Sequence, residues 1–178
     1  MLNWFKNGRY TTYILFTFSY IITMACIFFS LYLEMASEEV HSLINLFHND
    51  GPSAFSAIGI VILFTLCFGV IQLLIGSSVF HFIAKFIFKI PVSFQLFQRI
   101  FFIFITFLSI SAVWQITLFK NKIDFLSVVI NPILLLGMAI FFWLLKISVK
   151  VNQLKSLLFT VFCFASYFIF VKCYLGGM

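Results

Sequence analysis

"KFIFKIPVSFQLFQR", residues 85–99, interrupts two long apolar runs and holds three of the chain's eleven basic residues, Lys85, Lys89 and Arg99. Pro91 fixes the reading of this stretch. It cannot continue a helix, and it pushes Ile90 out of the α region, so the helix arriving from the N-terminal side ends there. Ser93 is a plausible N-cap for a new helix whose first turns are Phe94–Arg99. Lys85 and Lys89, one turn apart, favour a helix C-terminus, and their long stems can snorkel toward headgroups. The stretch therefore reads as a tight turn with interfacial anchors, joining two membrane helices.

Composition outside the turn agrees. Of 178 residues, 63% are hydrophobic and only 9% charged, with 28 phenylalanines. A soluble domain is nearer a quarter charged and could not hide this much apolar surface; a bilayer requires no hiding. The net charge of +6 comes from basic residues placed singly at the ends of apolar runs. A nucleic-acid surface would need them clustered, so that class is set aside. Cys26, Cys67 and Cys163 lie inside apolar runs and Cys173 near an end, which gives no disulfide framework and no zinc spacing. Thr23–Cys26 follows Lys6, Arg9 and an apolar stretch, as a lipoprotein cleavage site would, but Ile27–Leu33 stay apolar. An uncleaved first span is expected.

About 20 apolar residues cross a bilayer as a helix. Five segments qualify: about Tyr13–Leu33, Ser56–Phe80, Ile100–Phe119, Phe125–Leu145 and Leu157–Tyr174. Asn131-Pro132 predicts a kink in the fourth. With the N-terminus inside, Lys6, Arg9, Lys85, Lys89, Arg99, Lys146, Lys150 and Lys155 face the cytosol. Only Lys120, Lys122 and Lys172 face out, and this bias predicts N-in, C-out. The expected fold is a single all-α membrane domain over 1–178, a bundle of five transmembrane helices. Glu34–Phe55 forms its first outer loop. There Ser37 can cap a short interfacial helix with Val40, Leu43, Ile44 and Phe47 on one face.

Candidate chemistry is sparse. Glu38, His41 and His48 share a face of that outer helix, which a solvated polar side explains as well as a metal does, so no metal or cofactor is assigned. Glu38-Glu39 resembles the start of the glutamate motif of intramembrane prenyl-protein proteases, but Leu43 stands where an Arg is expected. No span core carries an acid or a base, as ion pumps and proton-coupled carriers require. There is no GxSxG and no carboxylate pair at depth; no enzyme activity is expected. Uncharged polar residues form helical stripes instead: Thr12, Ser19, Thr23, Cys26 and Ser30; Thr65, Gly69, Gln72 and Gly76; Ser111 and Gln115; Ser156, Thr160, Cys163 and Tyr167. Helix packing accounts for such stripes. Gly69, Gln72, Gly76, Gln115 and Asn131 are the packing or cavity candidates. His81, one turn before Lys85, reads as an interfacial anchor. Lys85, Lys89, Gln95, Gln98 and Arg99 are the candidates for contact with a cytosolic partner.

The stretch "GVIQLLIGSSVFHFIAKFIFKIPVSFQLFQRIFFIF", Gly69–Phe104, with "VSFQLFQRI" opening the third span, resembles the Yip family of five-span membrane proteins named for interaction with small Ypt/Rab GTPases, in its bacterial branch. The resemblance implies a non-enzymatic scaffold or adaptor in the bacterial cytoplasmic (inner) membrane, with membrane or cytosolic protein partners and no catalytic residues. Two other classes fit the residues. One is an immunity or exclusion protein, recognising a toxin or a conjugation partner through the outer loop. The other is a small permease or permease subunit using Gln72, Gln115 and Asn131.

Overall fold

The structure is a computed structural model that describes residues 2–34, 51–119, 125–149 and 151–175. Its elements are α1 (Leu2–Asn7), α2 (Thr11–Glu34), α3 (Gly51–Phe82), a π-helical turn (Ile83–Ile87), α4 (Phe94–Phe119), α5 (Phe125–Val129), α6 (Pro132–Val149) and α7 (Gln153–Leu175). No strand occurs among the described residues. Among the described residues four helices are long and apolar enough to cross a membrane: Thr11–Leu33, Ile58–Ile87, Phe94–Phe119 and Pro132–Val149. Helix α7 runs Gln153–Leu175, and among the described residues a shorter apolar helix covers Gln153–Ile169 of it. These properties are those of an integral membrane protein. The outer-loop helix expected near Ser37–Phe47, with Glu38, His41 and His48, lies outside the described residues, as do Lys120, Lys122 and Lys150.

Helix α4 is the hub. It packs against α2, α3 and α6, and buries Phe97, Ile100, Phe101, Phe104, Ser111 and Gln115 at helical spacing. Its neighbours meet it through rings: Phe104 lies 4.5 Å from Phe141 of α6, and Phe97 6.1 Å from Phe159 of α7. Lipid tails are as apolar as these side chains, so burial alone does not drive association. Packing and hydrogen bonds do, and each ring pair contributes about 0.5–1.5 kcal/mol beyond area. Close approach of α4 and α6 depends on Gly137, where a Cβ would stand 2.6 Å from Phe107 Cβ.

The kink expected in the fourth span is a full break. Residues Phe125–Val129 form α5, and α6 restarts at Pro132. Asn131 caps the new helix: its Oδ1 accepts the N–H groups of Ile133 and Leu134 at 3.1 and 3.2 Å. Pro132 follows at N1, where its missing N–H is no loss.

The helix before Pro91 also ends earlier than Ile90. After α3 the backbone widens into the π turn, and Lys89 adopts φ 51°, the left-handed region. Ile90 N–H then closes on Ala84 O at 2.9 Å and Phe88 N–H on Ile83 O at 3.2 Å. This works as a Schellman-type stop, displaced by the wider turn. Ser93 takes the position before α4, its carbonyl accepting Phe97 N–H at 2.9 Å.

Candidate functional site

The turn at residues 85–98 is held from behind. Ala84, Ile90, Val92 and Phe97 are buried in the main core. His81 Nε2 lies 3.1 Å from Val92 O, so the Nε2–H tautomer ties the segment after Pro91 to the end of α3. The same ring meets Phe94 and Phe97 at 5.2 and 5.5 Å. The anchor expected at His81 is thus directed at the protein's own backbone. What remains outward is Lys85, Phe86, Ile87, Lys89, Pro91, Ser93, Phe94 and Gln95, with Gln98 half-buried.

Arg99 departs from the expectation that it faces the cytosol with Gln95 and Gln98. Helix α4 begins at Phe94, which places Arg99 in its second turn, turned inward and only 5% exposed. Its guanidinium donates to Thr12 Oγ1 at 2.8 Å and to the carbonyls of Phe5, Lys6 and Gly8 at 2.5, 2.8 and 3.0 Å. These carbonyls lie at the C-terminal end of α1, the negative pole of that helix, where a cation is favoured. Lys6 Nζ in turn donates to Ile147 O of α6 at 3.3 Å. The N-terminal residues thereby form a strap across this end of the bundle. The reading of the first span from Tyr13 missed it. The available signal was the aromatic and basic run Trp4-Phe5-Lys6 before Gly8.

At the opposite end of α4 a second polar group gathers. Gln115 Nε2 donates to Ser127 Oγ at 2.7 Å. Asn131 Nδ2 faces Ser111 O at 3.0 Å, Ser111 Oγ at 2.9 Å and Gln115 Oε1 at 3.3 Å. Ser111 Oγ lies 3.3 Å from Tyr167 Oη of α7. Gln115 and Asn131 are therefore brought together, and their amide groups are engaged by one another and by the α6 N-terminus. Ser127 is the member that the stripes did not contain, because α5 is too short to display a periodicity.

Gln72 is elsewhere, exposed on α3. Among the described residues the buried positions of that helix are Gly69, Leu73, Ser77 and, in the π turn, Ala84. Gly69 sits against Met24 and Tyr20 of α2, and a Cβ added at Gly76 would stand 3.6 Å from Phe101 Cζ. The α2 stripe also meets its neighbours: Thr23 Oγ1 lies 3.0 Å from Ser109 Oγ, and Tyr20 Oη donates to Leu66 O at 2.9 Å. A groove of about 80 Å³ between α2 and α4, lined by Leu15, Phe18, Phe102, Ile103, Thr106 and Phe107, is almost wholly apolar. Among the described residues no three His, Cys, Asp or Glu side chains come together as metal ligands would.

Sequence and geometry together define the class: an all-helical protein with the apolar helices of an integral membrane bundle. No family model, curated protein or solved structure matches this chain.

Proposed function

We propose that the protein is a non-enzymatic multi-pass membrane scaffold or adaptor of the kind the Yip resemblance implies. In this reading it crosses the bacterial cytoplasmic membrane five times, N-in and C-out, and contacts other proteins through helix faces and its inner turn. One observation carries the reading: the turn at residues 85–98 is fixed from behind by buried Ile90, Val92 and Phe97 and by His81, yet presents Lys85, Lys89 and Gln95 outward. A rigid, mixed polar and aromatic surface pays little ordering entropy on contact, and its amides can fix a partner's orientation. The interior polar groups Gln115 and Asn131 are engaged in joining helices, which supports a packing role for them.

The test separates partner from anchor. Gln95 and Gln98 carry no charge, so Gln95→Ser with Gln98→Ser leaves insertion unchanged and weakens cross-linking to a cytosolic protein at equal membrane levels. An unchanged set of cross-linked proteins removes the adaptor role of the turn. Topology is read separately: a cysteine at residue 95 is labelled from the cytosol only, and Asn45→Cys from outside only. Labelling of residue 45 from the cytosol in sealed vesicles overturns the five-span, N-in arrangement.

A further inference from the structure

We propose that the N-terminal strap, residues 4–13, is a docking surface for anionic phospholipid headgroups, held in place by Arg99 as a positioning residue. The inward side of the strap is committed to the bundle: Phe5 packs on the core, and its carbonyls and Thr12 receive the Arg99 guanidinium. The outward side carries Trp4, Arg9, Tyr10 and Tyr13, with Trp4 55%, Tyr10 65% and Tyr13 71% exposed. The Arg9 guanidinium lies 5.9 Å from the Tyr10 ring centroid. Trp and Tyr rings of this kind sit at headgroup depth, apolar body inward and polar tip outward.

Continuity identifies the occupant. Tyr10, Ile14, Phe18 and Ile21 recur at helical spacing and are all exposed, a stripe that runs from the strap along α2. The apolar part of that stripe faces acyl chains when α2 spans the bilayer, so its Tyr10 end meets the headgroup layer of the same leaflet. Charge then selects the lipid. Lys6 and Arg9 are basic, and no acid precedes Glu34 in the sequence. Arg9 is exposed and free to reach a phosphate, whereas Lys6 is directed to Ile147 O. Arg99 contributes by shape: its forked donors, spread over three nitrogens, engage Thr12 Oγ1 and three backbone carbonyls at once, one acceptor more than the three N–H groups of an ammonium can serve. The inference rests only on the membrane location, and its test contains no other protein, so it stands or falls apart from the adaptor reading.

The experiment uses the full chain carrying Trp114→Phe and Trp143→Phe, both at exposed positions, so that Trp4 is the sole tryptophan. It is reconstituted in phosphatidylcholine vesicles with increasing phosphatidylglycerol. Trp4 emission shifts to shorter wavelength as the anionic lipid rises, and high salt reverses the shift. Arg9→Gln raises the phosphatidylglycerol fraction needed by about fivefold, and Arg9→Lys restores it. Arg99→Lys weakens the shift although Arg9 is intact, because the strap loses its register. Identical Trp4 spectra in neutral and anionic vesicles, or a shift indifferent to Arg9→Gln, overturn the proposal. So does the same shift produced in neutral vesicles by inorganic phosphate, which would make the site one for a free anion.

Discussion

Arg99 Nε donates to Thr12 Oγ1 at 2.8 Å across 87 positions of sequence, joining the start of α2 to the second turn of α4. The pair sits where two helices running in the same direction meet, and the same guanidinium gathers the end of α1. A single side chain thus sets the relative position of three elements. All four acceptors are neutral oxygens, so the cation is balanced by oriented backbone dipoles in place of a carboxylate.

Removing that cation takes the guanidinium donor from the half-buried carbonyls of Phe5 and Lys6, whereas Gly8 O keeps the Thr11 N–H at 3.3 Å. Arg99→Met is expected to cost about 2–3 kcal/mol of bundle stability, since hydrogen bonds to a charged group are individually worth about 1.5–3 kcal/mol and water replaces part of them. Arg99→Lys retains less than half of the stabilisation, because one ammonium cannot reach acceptors spread over Phe5–Thr12. Denaturant titration in detergent measures the loss, and proteolysis at residues 2–10 reports whether the strap is freed first.

Of the three amide positions proposed together from sequence, Gln72, Gln115 and Asn131, the first and last behave differently. Asn131→Ala removes both cap bonds to α6 and the contacts to Ser111 and Gln115, an expected loss of about 2 kcal/mol. Ser127→Ala, which leaves Gln115 Nε2 without its 2.7 Å acceptor, costs about 0.6 kcal/mol. Gln72→Leu, at an exposed α3 position, changes stability by less than about 0.5 kcal/mol. Equal losses for Asn131→Ala and Gln72→Leu in the same unfolding assay would contradict the assignment of the network.

These outcomes trace what the sequence discloses. Apolar run length and Pro91 are local signals, and they locate the four long helices along the chain, although the third starts at Phe94 and not Ile100, and the fourth at Pro132 and not Phe125. The Asn131-Pro132 pair is equally local and marks the start of α6. Its polar partners are not local: Ser127 and Ser111 meet Asn131 because helices cross there, and crossing leaves no trace in periodicity. Arg99 is the clearest case. Read from spacing, it is the last polar residue before a span; its inward orientation is set by α1, a six-residue helix too short to announce itself. Gln72 shows the converse. It shares a nominal stripe with Gly69 and Gly76, but the stripe that packs passes through Leu73 and Ser77, and the amide falls just outside it.

Glycine replacements distinguish packed from open helix surface. At Gly137 a Cβ would approach Phe107 Cβ and Cγ to 2.6 and 3.1 Å, and both helices must shift to admit it. Gly137→Ala is expected to lower stability by about 1–3 kcal/mol through overpacking. At Gly59 nothing lies within 4 Å, and at Gly76 the nearest atom, Phe101 Cζ, is in ordinary contact at 3.6 Å. Alanine at either of those positions is expected to be neutral or slightly stabilising through helix propensity. A thermal unfolding series over the three variants checks the order; a Gly59→Ala loss as large as that of Gly137→Ala would contradict it.

Lys89 combines a charge with a left-handed backbone, φ 51°, and the two can be separated by substitution. Lys89→Val removes the charge and places a β-branched residue where Cβ crowds the following carbonyl, an expected cost of about 1–2 kcal/mol. Lys89→Gly removes the same charge and relieves that crowding, so it is expected to preserve or raise stability by up to about 1 kcal/mol. Lys85→Gln removes a charge from the π turn without touching the left-handed position. If Lys89 matters only as a basic anchor, Lys89→Val and Lys89→Gly lose insertion efficiency equally. If the backbone stop matters, Lys89→Val alone loses folded protein, because the closures of Phe88 and Ile90 onto Ile83 and Ala84 depend on that φ. The expected pattern is a stability gap of at least about 1 kcal/mol between Lys89→Gly and Lys89→Val, with Lys85→Gln close to the parent.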